Sequence, residues 1–238
     1  MAPFIVVLLI IALIVIMTVR KRFLVLQREA FIRRYSFPKG LYAKLQAQHP
    51  KLNNRDCQLV SRALRQYFLA HLKSNRRFVS MPSQVVDSLW HEFILSTKDY
   101  EAFCDKAFGQ FMHHSPAVKL SKDRQGNEGL RRCWWYCCKE DNINPKQPAR
   151  LPLLFAIDQK LEITNGFRYL ADCEGVRRLQ DGSNTASNHS SAVYCGGDFS
   201  SSSFDGGTEG FGDDGGTGSD SGGDGGDGDG GGGCGGGD

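Results

Sequence analysis

The eighteen residues that follow Met1 constrain this chain most. Ala2–Val19 carries no formal charge and is dominated by Ile, Val and Leu. An α-helix of about this length crosses the hydrocarbon core of a bilayer, and it satisfies its own backbone hydrogen bonds there. No basic residue precedes the run, and Met17-Thr18-Val19-Arg20 lacks the small residues of a signal-peptide cleavage site. We therefore interpret it as an uncleaved membrane anchor rather than a signal peptide.

Basic residues flank this run on one side only. They are Arg20, Lys21, Arg22, Arg28, Arg33 and Arg34. The positive-inside bias predicts a single-pass protein of the cell membrane, with the amino terminus outside and the body and tail in the cytoplasm. The same side chains favour contact with anionic lipid. We expect Phe23–Tyr35 to continue the helix beyond the bilayer. Eight cysteines would remain reduced in the cytoplasm, whereas an exported body would favour disulfides.

Charge and composition divide the chain into four segments. We assign 1–22 to the anchor with its basic flank, 23–40 to a juxtamembrane linker or helix, 41–180 to a folded domain and 181–238 to a tail. Residues 1–180 hold all 29 Lys and Arg and 15 of the 26 acidic residues, a net +14, and the tail holds the other 11 acidic residues. The tail either folds back on the body, competes with its partners, or is simply solvated. Its Gly, Ser and Asp content predicts disorder.

Apolar residues at helical spacing predict a mainly α domain. The predicted helices cover Leu41–Gln48, Cys57–Leu72 after caps at 53–56, a segment from Ser80 and Pro82 to Leu95, a segment from Ser96 to about His114, and Gly129–Glu140. Leu151–Ile157 fits a helix or a strand. Alternating apolar residues around Asn165-Gly166 predict a β-hairpin over Leu161–Leu170. The predicted fold class is thus mainly α: one transmembrane helix, a small helical domain with one β-hairpin, and a disordered glycine-rich tail.

A group of metal-ligating residue types lies in Met81–Pro116. Asp87 and His91 are four residues apart and so share one face of a helix. Cys104, His113 and His114 lie on the next predicted helix, and a helical hairpin would bring these residues together. Asp, His and thiolate are ligands for zinc or another transition metal, and an open position would activate a bound water. Adjacent histidines on a helix point about 100° apart, so one of the pair is expected to bind.

The same residues have a structural interpretation. Asp87 can orient His91 by a hydrogen bond, the two adjacent histidines can cap a helix, and Cys104 can fill the core. No recognised zinc spacing is present. A second zinc site from Cys133, Cys137 and Cys173 is also open, although core cysteines explain them as well because no Cys-x-x-Cys pair occurs.

Several functional classes lack their motifs. No phosphate-binding glycine loop opens a helix, and no Gly-x-Ser-x-Gly is present. The basic face lacks interleaved aromatic residues, which argues against nucleic acid as a partner. Two functions stay open. The first is an interaction or scaffold module on the cytoplasmic face, with lipid and a protein of unknown identity as partners. The second is a membrane-tethered metal-dependent enzyme that uses the Asp, His and Cys residues. No catalytic residue is assigned.

The central segment also resembles a known family. Its pattern runs Met81-Pro82-Ser83, Asp87-x-x-Trp90-His91-x-Phe93-Ile94-Leu95-x-Thr97-x-x-Tyr100-x-x-Phe103-Cys104 and Phe108-Gly109-x-Phe111-x-His113-His114-x-Pro116. These residues are similar to the glycine-rich domain-containing proteins of plants and their bacterial relatives, with weaker similarity through Ile157-Asp158 and Tyr169. The resemblance covers about residues 36–175 and implies a helical domain. The membrane anchor departs from the plant members, so their roles are not carried over.

Overall fold

The computed structural model describes residues 2–38, 40–114, 124–171 and 193–199. Helices dominate the described residues, which confirms the mainly α prediction. The helices are α1 (Ala2–Arg34), α2 (Leu41–Gln48), α3 (Asn54–Lys73), α4 (Gln84–Leu95), α5 (Thr97–Ala107), α6 (Arg124–Glu140) and α7 (Leu153–Lys160). Two short strands, β1 (Arg168–Leu170) and β2 (Val193–Cys195), and a 3-10 helix, Gly196–Phe199, complete the elements.

Helix α1 joins the apolar run to the body without a break. Among the described residues it is the helix that is long and apolar enough to be a membrane span or a signal sequence, and its apolar part is not buried by the body. Its last turns do pack on the body. Ile32 is fully buried, the ring of Phe31 lies 5.8 Å from that of Phe103, and Arg33 forms an ion pair with Glu140 of α6. The apolar segment and the packed last turns therefore belong to one continuous helix.

Helix α3 is the centre of the domain. The side chain of Asn53 accepts hydrogen bonds from the first turn while Asp56 accepts from the Asn53 backbone, which forms a capping box. This start confirms the predicted cap. The helix then packs against α1, α4, α6 and α7, and the buried rings of Tyr67 and Phe68 both contact Trp90 of α4. Twelve of its twenty residues are buried while others, such as Arg62, stay exposed, and this two-faced pattern explains why apolar spacing located the helix well.

Helix α4 starts later than the sequence predicts. Ser80 is not its cap and Pro82 is not in its first turn; Ser83 caps it by accepting a hydrogen bond of 3.2 Å from the Val86 amide. A buried carboxylate, Asp158 of α7, explains the difference. It accepts bonds from the Ser83 hydroxyl (2.6 Å) and from the Gln84 (2.8 Å) and Val85 (3.2 Å) amides. These unpaired amides at the helix start thus receive a partner from 73 or more residues away.

Helix α5 ends earlier than the sequence predicts. It stops at Ala107 rather than near His114. Gly109 follows with φ of 70°, and its amide donates to the Cys104 carbonyl at 3.1 Å. A glycine in this left-handed conformation commonly terminates a helix. Residues 110–114 consequently lie outside any helix or strand, and this segment contains both adjacent histidines.

The predicted β-hairpin is wrong. Leu161 and Ile163 stay attached to the end of α7, since their amides donate to the Ile157 and Asp158 carbonyls at 2.9 Å each. Asn165, with φ of 60°, forms a turn that joins a helix to a strand instead of two strands. Strand β1 pairs with β2 in parallel, with Tyr169 opposite Tyr194. A parallel pair requires a long connection and cannot be closed by a two-residue turn.

The end of the described chain packs on the core. Phe199 is 3% exposed, and its ring centroid lies 5.3 Å from that of Trp134 and 5.8 Å from that of Phe155. Residues 193–199 belong to the segment 181–238 that we predicted to be disordered, so this part of that prediction is wrong. Burial of a large aromatic side chain stabilises this segment although its neighbours are small residues. The remainder of the predicted tail, 181–192 and 200–238, lies outside the described residues.

Candidate metal site

Helix α4 presents two of the candidate ligands. Asp87 lies in its first turn and His91 one turn later, on the side of the helix that borders solvent. Trp90 and Val86, the residues just before each of them, are fully buried. The buried side therefore fixes the rotation of the helix, and that rotation places the carboxylate and the imidazole together at the surface.

The third ligand comes from the segment after α5. The Tyr100 hydroxyl donates to the Met112 carbonyl at 2.5 Å and accepts from the Trp90 indole at 3.2 Å. Met112 is buried, which holds the chain against α4. His114 follows two residues later, and its ring lies 4.6 Å from that of Trp90. The turn after α5 thus brings an imidazole back to the face that carries the other two ligands.

Asp87, His91 and His114 form one compact group. The Nε2 of His114 lies 2.9 Å from Oδ1 of Asp87, and Nδ1 of His91 lies 4.0 Å from Oδ2 of the same carboxylate. The two imidazole rings are 4.2 Å apart. One ligand atom from each residue lies within 4.8 Å of the others. Asp87 and His114 have side chains 14% and 16% exposed, whereas that of His91 is 56% exposed.

The structure places the other two candidates elsewhere. Cys104 is fully buried in the core, beside Tyr100 and the Met112 backbone, and burial raises the pKa of its thiol. It supports the segment that carries His114 and is not within the group. His113 is exposed, and its ring lies 5.0 Å from that of Phe111. The predicted convergence of aspartate, imidazole and thiol in one pocket is therefore wrong for the thiol, because α5 turns Cys104 inward.

The second predicted cysteine group lies in the core. Cys133, Cys137 and Cys138 are fully buried on α6, and the Sγ atoms of the first two are 3.9 Å apart. Burial raises the pKa of Cys137 well above its ordinary value and that of Cys138 to about 12. Thiols in such an apolar setting stay protonated and are poor metal ligands. Cys173 lies outside the described residues.

The sequence analysis missed the residues that position the group. Tyr100 and Trp90 belong to the apolar spacing that predicts their helices, yet their hydroxyl and indole groups form the hydrogen bonds that hold residues 110–114 on α4. A buried tyrosine or tryptophan usually finds a partner for its polar atom. A buried tryptophan and a buried tyrosine ten positions apart indicate that their polar atoms have hydrogen-bond partners. The sequence alone does not identify those partners.

The three residues suit a first-row transition metal. Tetrahedral Zn²⁺ with bonds of about 2.0–2.1 Å holds its ligand atoms roughly 3.4 Å apart. The observed upper separation of 4.8 Å requires a closure of about 1.4 Å, which rotation of the exposed His91 side chain can supply. Two imidazoles and one carboxylate leave at least one coordination position for water. Such an open site can bind a further ligand or activate that water.

Comparison with known proteins gives a family and no close relative. No curated protein and no solved structure matches the chain. The UCP032817-like family matches residues 27–199, which include every described element of the body and the last turns of α1. The resemblance to the glycine-rich domain-containing proteins is therefore wrong as a family assignment, because the matching family is a different one. The match covers more than two thirds of the sequence, and the chain belongs to the UCP032817-like family.

Proposed function

We propose that this chain is a membrane-anchored protein that binds a divalent transition metal through Asp87, His91 and His114. The single observation that carries the proposal is the convergence of three ligand atoms within 4.8 Å from two separate segments. Two of the ligands are four residues apart, but the third arrives only through the turn at Gly109 and the Tyr100 hydrogen bond. A surface that served only solvation would not require this arrangement.

The anchor supports a location at a membrane. The last turns of α1 pack on the domain, and the apolar run continues into them as one helix. The run also lacks the small residues of a cleavage site before Arg20, which favours a span over a cleaved signal sequence. The basic residues after the run favour a body on the cytoplasmic side. The proposed site then faces the reducing cytoplasm, where the metal would be Zn²⁺ or another divalent ion of that series.

The test is metal binding by the full chain in detergent micelles. We expect the wild type to bind one equivalent of Zn²⁺ in isothermal titration calorimetry and elemental analysis. His91→Ala and His114→Ala should weaken binding by more than about 100-fold, beyond the 10–100-fold typical of outer-shell changes. His113→Ala is the matched control, because its exposed ring lies next in sequence but outside the group, and it should bind as the wild type does.

Two results would contradict the proposal. One is equal loss of affinity in His113→Ala and His114→Ala, since the geometry distinguishes them. The other is the absence of a stoichiometric metal together with a lower melting temperature in His114→Ala. That second pattern would assign the 2.9 Å contact between Asp87 and His114 to a structural hydrogen bond.

The interaction role predicted from the sequence remains a second candidate. Leu95 and Phe111 are 66% and 47% exposed, and they are the exposed large apolar residues in the described part of the body. Burying exposed apolar side chains such as these against a partner is favourable because it removes apolar surface from water. In-cell proximity labelling of wild type and of Leu95→Ser with Phe111→Ser tests it. Neighbours lost in the variant but kept in His91→Ala would separate this role from metal binding.

A further inference from the structure

A surface cleft of the domain carries an excess of positive charge. It has a volume of about 380 Å³ and lies between α1, α3 and the junction of α6 with α7. Three arginines line it, Arg33, Arg62 and Arg65, against two carboxylates, Glu140 and Asp141. This site shares no residue with the Asp87 group and is independent of the function proposed above.

The two carboxylates are already engaged. Glu140 pairs with Arg33 and with Lys73, whose Nζ lies 3.0 Å from it. Asp141 accepts a hydrogen bond of 2.8 Å from the Leu153 amide at the start of α7. The guanidinium of Arg33 likewise forms its ion pairs with carboxylates of the protein. The remaining cationic groups of the cleft are therefore those of Arg62 and Arg65.

Arg62 and Arg65 lack a carboxylate partner among the described residues. They are three residues apart on α3 and so lie on one face. The Nε of Arg65 donates to the Tyr35 carbonyl at 3.1 Å, and its guanidinium lies 5.4 Å from the centre of the Phe37 ring. Burial lowers the pKa of Arg65, and the nearby charge of Arg62 lowers it further. These contacts hold one face of the Arg65 guanidinium in place and leave its terminal nitrogens for another partner.

We infer that this cleft binds a phosphate group through Arg62 and Arg65. Guanidinium groups form paired hydrogen bonds with phosphate oxygens, and two adjacent guanidinium groups repel each other unless an anion lies between them. The fixed Arg65 is pre-organised, and the exposed Arg62 closes on the ligand. A phosphate or phosphomonoester fits the available volume.

Distance along α1 favours a soluble source for the phosphate. Arg33 lies fourteen residues beyond Val19, which is about 21 Å along a helix. The headgroup layer on one side of a bilayer is only about 5–8 Å thick. The cleft beside Arg33 therefore lies farther from the bilayer than the phosphate groups of ordinary lipids, and the ligand reaches it from solution.

The test is calorimetric titration of the full chain in micelles with inorganic phosphate, at constant ionic strength and without added zinc. We expect saturable binding that Arg62→Gln weakens by about tenfold or more, because one charge-assisted pair of hydrogen bonds is lost. Arg62 has no structural partner in the described residues, so the variant should fold normally. Arg55→Gln is the control, since Arg55 is exposed on the same helix outside the cleft, and Asp87→Asn should also bind phosphate as the wild type does.

Three outcomes would overturn the assignment. The first is phosphate binding that is equal in wild type and Arg62→Gln. The second is a chain that does not bind inorganic phosphate but binds nanodiscs that contain phosphoinositide in an Arg62-dependent manner. If nanodiscs of pure phosphatidylcholine are not bound, a lipid is the ligand. The third is a gain in phosphate affinity when residues 200–238 are removed, which would make the acidic tail the occupant. Equal affinity in micelles and phosphatidylcholine nanodiscs, with or without the tail, supports the soluble ligand.

Discussion

Asp158 should be a highly sensitive position in the body. Its side chain is 2% exposed, and each carboxylate oxygen accepts two hydrogen bonds. Oδ1 accepts from the Ser83 hydroxyl and the Val85 amide, and Oδ2 accepts from the Gln84 and Phe167 amides. The carboxylate thereby joins α7, the start of α4 and the entry to β1.

The magnitude follows from the donors that each variant leaves without an acceptor. A buried unsatisfied donor costs about 1 kcal/mol or more. Asp158→Ala leaves four, so the free energy of unfolding should fall by about 4 kcal/mol. Asp158→Asn keeps one acceptor oxygen, so two of the four donors stay satisfied. Its amide NH₂ replaces the other oxygen and leaves the remaining two donors without an acceptor, so the free energy of unfolding should fall by about 2 kcal/mol. Domains of this kind have about 5–15 kcal/mol in total.

The assay is denaturant unfolding of the full chain in micelles, followed by tryptophan fluorescence. Asp105→Asn is the control, because Asp105 is exposed on α5 and a surface change of this kind should stay within about 0.5 kcal/mol. Ser83→Ala combined with Asp158→Asn should be less destabilising than the sum of the two single changes, because both act on one hydrogen bond. A loss below about 0.5 kcal/mol for Asp158→Asn would refute the reasoning.

Two further predictions concern buried titratable groups. His71 is 7% exposed, and burial lowers its pKa to about 4. Between this value and the ordinary pKa of about 6.5, the unfolded chain binds a proton that the folded chain does not. The free energy of unfolding should therefore fall by about 3 kcal/mol as the pH drops from about 6.5 to about 4. His71→Gln should remove this part of the pH dependence in denaturant titrations, and an unchanged slope would contradict it. The thiols of Cys133, Cys137 and Cys138 should resist iodoacetamide until the chain unfolds, because they are fully buried and the reagent cannot reach them; mass spectrometry that finds them labelled in the folded protein would contradict their placement.

Patterns within one helix were predictable because their causes are local. Helix α2 has the predicted bounds Leu41–Gln48, since His49-Pro50 prevents its continuation. The capping box of α3 involves residues only three apart, and the long apolar run of α1 needs no partner to form a helix. The pairing of Asp87 with His91 on one face likewise follows from helical geometry alone.

Features that depend on distant partners were not predictable. The start of α4 is decided by Asp158, 74 residues beyond Gln84. The choice of His114 over His113, and the exclusion of Cys104, depend on where α5 ends and on the Tyr100 contact with Met112. The parallel pairing of β1 with β2 joins residues 25 apart, while the Asn165-Gly166 signal is local and indicates only a turn.

By itself, the sequence determined the approximate position of most helices, the segment that is long and apolar enough for a membrane, and which residue types are available for a metal. Only the tertiary structure decided which of those residues meet, which cap each helix receives and which arginines are left for an anion. The physical reason is that helix formation depends on neighbours within about four residues, whereas a site is assembled from side chains whose separation along the chain carries no signal of their separation in space.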